Sequence, residues 1–195
     1  MELLTRASLG FRLPAAIQAS LTEAQTVLKR RGGADGARWT PPHELLLSLC
    51  PLGELTIPQM VRVQETLPDL AAAHAPFDLG LEGIGGSPNA TQPRFAWAGV
   101  TGDLGALQAL HASVEAALAS LRLPRESRPL SAHIVLGRLK IESERARSDL
   151  GRAVRLCGVG AMGSWRVEEL ELLKGDVGPT GPTTVLIRGY GLGGC

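Results

Sequence analysis

Aromatic side chains are few: three Trp, three Phe and one Tyr in 195 residues. The core must therefore be built from Leu, Val, Ile and Ala. Cysteine is scarce as well. Cys50, Cys157 and Cys195 are odd in number, widely spaced and fit no Cys-x-x-Cys or Cys/His metal pattern, which indicates a reducing, cytoplasmic setting. No stretch approaches the ~18 consecutive apolar residues of a membrane span, and residues 1–20 lack the basic start and apolar block of an export signal. An excess of one charge is missing too. Twenty basic against nineteen acidic residues give a formal charge of +1, which argues against holding long nucleic acid by bulk electrostatics and leaves room only for a local basic groove. No Gly-Lys-Ser/Thr triplet exists, so a P-loop nucleotidase is excluded. What remains is 44% hydrophobic and 20% charged, an ordinary globular chain with neither disorder nor a collagen-like repeat.

Hydrophobic spacing predicts the order of elements. A strand within Leu3 to Leu13 precedes a helix from Ala15 to Lys29, with Ile17, Leu21, Ala24 and Leu28 on one face. Arg30 to Gly36 reads as a flexible basic loop. Leu45 to Leu49, bounded by Pro42 and Pro51, reads as a five-residue strand, and Thr56 to Ala73 as a helix that Pro68 breaks or kinks. Phe77 to Leu81 and Arg94 to Val100 alternate as strands across the turn-rich Gly83 to Pro93. From Asp103, Leu107, Leu110, Val114, Leu118 and Leu121 mark the clearest amphipathic helix. A strand from Ala132 to Lys140 and an Arg-studded helix from Glu144 to Leu156 follow. Trp165 to Leu172 and Thr183 to Arg188 then flank Gly175 to Pro182 as a hairpin. Strands and helices thus fall into two successive sets, which predicts one α+β unit over 1–195 made of two similar lobes.

Gly158-Val159-Gly160-Ala161-Met162-Gly163 matches the dinucleotide fingerprint letter for letter. Its context refuses it, because the fingerprint needs a following helix and an acidic residue about 20 positions on, whereas the next residues alternate like a strand. Of the four histidines, His74 lies in a polar connection. His111 sits one turn from Leu107 and reads as a core or boundary imidazole, and His43 follows Pro41-Pro42 as a surface residue. His133 differs: it opens His133-Ile134-Val135-Leu136-Gly137-Arg138, where His133 and Val135 share one strand face and Ile134 and Leu136 the other. A histidine beside a strand-end arginine suits a phosphate ester.

These residues carry a resemblance. Arg38-Trp39-Thr40-Pro41-Pro42 leading into Leu45-Leu46-Leu47-Ser48-Leu49, Leu52-Gly53-Glu54, Ser87-Pro88-Asn89, Pro93-Arg94-Phe95-Ala96-Trp97-Ala98-Gly99-Val100, and Arg128-Pro129 ahead of His133 to Arg138 together resemble the 2H phosphoesterases. Within that family the chain is similar to the RNA 2′,3′-cyclic phosphodiesterases, also called 2′-5′ RNA ligases. The resemblance implies two lobes related by a pseudo-twofold, each an antiparallel sheet with helices, and a central cleft carrying two His-x-Thr/Ser motifs. In such a cleft one imidazole is the general acid and the other the general base, and the hydroxyl two residues on faces the same way and binds a phosphate oxygen.

By that register both motifs are degenerate. Leu46 stands where the family has its first histidine, with Ser48 keeping the hydroxyl. His133 keeps the second imidazole, Val135 replaces the hydroxyl residue, and Arg138 keeps a phosphate-directed cation. The resemblance therefore implies catalytic positions at His133 and Ser48 and phosphate binding by Arg138 and Ser48. Lys29, Arg30, Arg31, Arg38 and Lys140 are further candidate phosphate contacts. The expected partners are RNA ends or 2′,3′-cyclic and 2′-phosphorylated nucleotides, with hydrolysis lost or strongly weakened, and no metal, ATP, other cofactor or membrane is implied. Two alternatives stand beside this reading: an active phosphodiesterase whose acid is His43 or water, and a structural or protein-binding module with a relic cleft.

Overall fold

In the computed structural model, residues 4–33, 36–123, 130–140, 143–178 and 181–193 are described. Arg128-Pro129 lies outside these residues. Two antiparallel sheets carry the fold, with helices packed on both. The chain opens with β1 (Thr5–Arg12) and α1 (Ala15–Leu28), then a π-helical turn at Lys29–Gly33 and the short β2 (Ala37–Trp39). A 3-10 turn at Pro42–Glu44 leads into β3 (Leu46–Leu55) and α2 (Ile57–Ala72). There follow β4 (Phe77–Ser87), β5 (Phe95–Gly102), α3 (Leu104–Ser120), β6 (His133–Leu139) and α4 (Glu144–Arg155). The chain ends in β7 (Ala161–Val167), β8 (Glu169–Gly178) and β9 (Gly181–Gly191).

The first sheet has the order β3-β1-β8-β9 and the second β2-β6-β5-β4-β7. This corrects the two successive sets read from the sequence, since the first sheet joins strands from both ends of the chain. Helix α1 packs on the second sheet through Ile17, Leu21, Ala24 and Leu28, all buried. Helix α2 lies against β9, and α3 touches both β3 and β4. Thr56 caps α2 in a reciprocal capping box with Gln59, and Asp103 and Ser143 cap α3 and α4, which fixes where each helix starts. No helix among the described residues is long and apolar enough to cross a membrane.

Several expected boundaries move. Strand β3 runs ten residues, straight through Pro51. It is an edge strand, where a missing N–H costs no ladder bond, and its pairing with β1 shifts register beside Pro51. Helix α2 continues through Pro68. Strand β4 extends to Ser87 through a segment that reads as turn. Trp165 to Leu172 is two strands rather than one, because the chain leaves the second sheet at the end of β7 and enters the first with β8. The residues after Gly158 begin β7, with no helix where a dinucleotide fold would need one.

Candidate functional site

The site forms where β3 of one sheet faces β6 of the other across a cleft of about 500 Å³. Alternation along each strand decides what lines it. Leu46 and Ser48 enter from β3 and His133 and Val135 from β6, while Leu45, Leu47, Ile134 and Leu136 are buried in the core. Arg138 lines the same cleft. Strict alternation from His133 would turn it to the opposite face.

A bulge brings it back. Ala96 pairs with Gly137 but Trp97 pairs with Val135, so β6 carries one extra residue against β5. Leu136 and Gly137 are both buried, and Arg138 rejoins the face of His133. Gln25 of α1, itself buried, holds this irregular backbone. Its carboxamide nitrogen donates to the carbonyls of Leu136 and Thr40, each at 2.8 Å, and the Thr40 N–H also donates to Leu136 O at 2.9 Å. The Thr40 hydroxyl donates to the Val135 carbonyl at 3.0 Å.

His133 sits between two rings. Its centroid lies 5.9 Å from that of Phe95 and 5.7 Å from that of Trp97, and the Arg138 guanidinium stacks 4.7 Å from the Phe95 centroid on the same face. Trp97 lies over bare backbone: a Cβ on Gly85 would meet its ring at 2.1 Å. Burial pushes the His133 imidazole below its ordinary pKa of 6.5, so it is neutral at pH 7.

Glu44, His111, Glu115 and Cys50 line the rest of the cleft. Glu44 Oε1 accepts from the Thr183 hydroxyl and from the Thr184 N–H at 3.1 Å, which ties the β8–β9 hairpin to the cleft rim. An anion in the cleft is repelled from this carboxylate and driven toward Arg138 and His133. His111 and Glu115, one turn apart on α3, were missed by the sequence reading, which placed His111 in the core or at its boundary. Only the packing of α3 beside β3 brings them into view. Cys50 donates to Glu115 Oε1 at 3.5 Å.

His43 does not line the cleft; its side chain is 72% exposed and faces Glu44 Oε1 at 3.7 Å. Lys29, Arg30, Arg31 and Lys140 do not line it either. Lys29 covers the Trp39 ring instead. Arg38 lines an adjoining cavity of about 280 Å³ together with Arg138.

From β3 and β6 the cleft thus takes one neutral imidazole, one serine hydroxyl and one guanidinium. Leu46 and Val135 interrupt them with apolar surface. A phosphate there meets a forked donor from Arg138 and a hydroxyl from the opposite strand. Of the two histidines that line the cleft, His133 stands on a strand and His111 on α3. Among the described residues no group of three or more His, Cys, Asp or Glu side chains is placed to hold a metal ion.

The sequence and the fold both have known relatives. The family profile described as the 2′-5′ RNA ligase superfamily matches residues 13–179. The chain is 34% identical over 195 residues to an RNA 2′,3′-cyclic phosphodiesterase of Thermus thermophilus, covering 93% of this chain and 87% of that one. It is 29% identical over 160 residues to one from Archaeoglobus fulgidus, covering 82% and 86%. Among solved structures, TT0787 of Thermus thermophilus superposes with a TM-score of 0.78 at 27% identity over 97% of this chain and 98% of that one. E. coli LigT complexed with 3′-AMP superposes at 0.74 over 97% and 99%, and at 18% identity it shares the fold.

Proposed function

This chain belongs to the 2′-5′ RNA ligase superfamily, and we propose that its cleft binds the phosphate of an RNA end, cyclic or 2′-linked, with hydrolysis lost or strongly weakened. The observation that carries this is the composition of the two facing strands. Arg138, His133 and Ser48 line one cleft, while Leu46 occupies the place at which the family resemblance expects the first of the two histidines. Binding needs directed donors, and three are present. Hydrolysis needs a proton donor at the leaving oxygen as well as a base for water, and losing one such group typically costs about 10²–10⁴ in rate. Val135 removes one further donor to the charged transition state. The relatives named RNA 2′,3′-cyclic phosphodiesterase supply the ligand class, and the LigT complex with 3′-AMP supports a nucleotide as ligand of this fold.

A second reading has one observation in its favour. His111 and Glu115 line the same cleft, so a second imidazole exists, on a helix instead of a strand. In that reading His111 supplies the acid and the protein is an active phosphodiesterase. His43, which does not line the cleft, has no such support.

Calorimetric titration with adenosine 2′,3′-cyclic phosphate at low salt, followed by assay of the recovered ligand, tests both. The proposal requires heat that is lost in Arg138→Gln and a ligand recovered intact. Turnover abolished by His111→Gln would establish the second reading, and absence of binding would overturn the first.

A further inference from the structure

We propose that the cavity beside the cleft is a subsite for a second, internal phosphate, so that the ligand is an oligonucleotide end of at least two nucleotides. This deepens the reading of the cleft as a phosphate site and rests on it. Arg38 and Arg138 are directly opposed partners on β2 and β6. In antiparallel strands such partners lie on one face with Cα atoms about 4.5–5.5 Å apart, and like charges so placed repel. Among the described residues neither guanidinium has a carboxylate partner. An anion between or beside them removes that repulsion.

The placement of the pair points to what the anion is. The adjoining cavity of about 280 Å³ holds both arginines and shares Thr40, Glu44, Val135 and Arg138 with the main cleft, so the two are continuous. Arg138 stands at the junction, and Arg38 lies one strand farther out, on the sheet edge. A strand of phosphates entering over that edge passes Arg38 before its end reaches Arg138 and His133. The rings of Phe95 and Trp97 continue the same sheet face beyond His133, which provides surface for bases as single-strand binders use it. Glu44, among the described residues the one carboxylate lining this cavity, has Oε1 engaged by Thr183 and Thr184, and it faces an anion more weakly than the two guanidiniums attract one. A basic residue on an edge strand also discourages sheet-to-sheet pairing. That role predicts no dependence on ligand length.

The test compares three ligands by calorimetry at low salt: adenosine 2′,3′-cyclic phosphate, the diadenosine nucleotide ending in the same cyclic phosphate, and that dinucleotide with a neutral methylphosphonate internal linkage. The charged dinucleotide should bind about tenfold tighter than the mononucleotide, the gain of one charge-assisted contact, and the neutral linkage should lose the gain. Arg38→Gln should cost about tenfold for the charged dinucleotide and no more than about twofold for the mononucleotide. A mononucleotide that binds while the dinucleotide gains nothing would overturn the subsite alone, as would equal losses for both ligands in Arg38→Gln. An equal gain with the neutral linkage would assign the added affinity to base stacking and overturn it too. If none of the three binds, the cleft reading fails and the subsite with it.

Discussion

The carboxamide nitrogen of Gln25 donates to the Leu136 carbonyl at 2.8 Å, from a buried position on α1 to the bulge in β6. The bond joins helix packing to the site, because this bulge decides that Arg138 faces the same cleft as His133.

Gln25→Leu should therefore act in two ways. It removes the donor shared by the half-buried Thr40 carbonyl and the buried Leu136 carbonyl, a loss of about 1–3 kcal/mol, and lowers the melting temperature by roughly 2–4 °C per kcal/mol for a chain of this size. It should also weaken phosphate binding, since Arg138 is no longer held toward the cleft. Thermal unfolding and phosphate titration of the variant check both. An unchanged melting temperature with unchanged affinity would remove Gln25 from this role.

Binding should depend on pH through His133. Burial lowers its pKa below 6.5, so the imidazole is neutral at pH 7 and gains charge only as pH falls through that lowered value. An anion favours the charged form, so affinity for a cyclic phosphodiester, which does not itself titrate in this range, should rise as pH falls from 7 toward 5. His111, Glu115 and Glu44 face the same cleft, and His133→Gln separates their contribution. The slope should flatten in that variant. A slope that persists there would show that His133 is not its source.

Restoring the family's motif residues should restore chemistry. Leu46→His with Val135→Thr places both imidazoles and both hydroxyls on strands whose inward neighbours, Leu45, Leu47, Ile134 and Leu136, already form the core. Hydrolysis of a nucleoside 2′,3′-cyclic phosphate should rise by about 10²–10⁴, most of it from the histidine. A double variant that folds and shows no gain would mean that the strands hold these positions too far apart.

Gly85→Ala should disturb the platform behind His133. The added Cβ would lie 2.1 Å from the Trp97 ring, so the indole must move, at a cost typical of overpacking, about 1–3 kcal/mol. A lower melting temperature with weaker ligand binding is the expected outcome. A variant with wild-type melting and affinity would show that the ring is free to shift.

Most of the site was legible because β-strand alternation is local. Leu46, Ser48, His133 and Val135 could be placed on one side, and Leu45, Leu47, Ile134 and Leu136 on the other, from spacing once the register was known. Arg138 was named without its reason, since only pairing with β5 reveals the bulge that turns it. His111 and Glu115 were not legible, because their exposure to the cleft depends on how α3 docks beside β3. The same limit holds for the fold. Pro51 ends a strand by local rules and is tolerated on an edge, and edges are defined by partners. Trp165 to Leu172 alternates except at the adjacent pair Glu168-Glu169, and only the pairing of the strands shows that the chain changes sheets there.

A cleft that holds a terminal phosphate without turning it over has a direct signature. Phosphorus NMR of adenosine 2′,3′-cyclic phosphate with stoichiometric protein reads both halves at once. The cyclic resonance should shift or broaden with the native chain, stay unperturbed with Arg138→Gln, and persist over hours with no phosphomonoester signal. An unperturbed resonance at millimolar native protein, or rapid conversion to the monoester, would contradict binding without turnover.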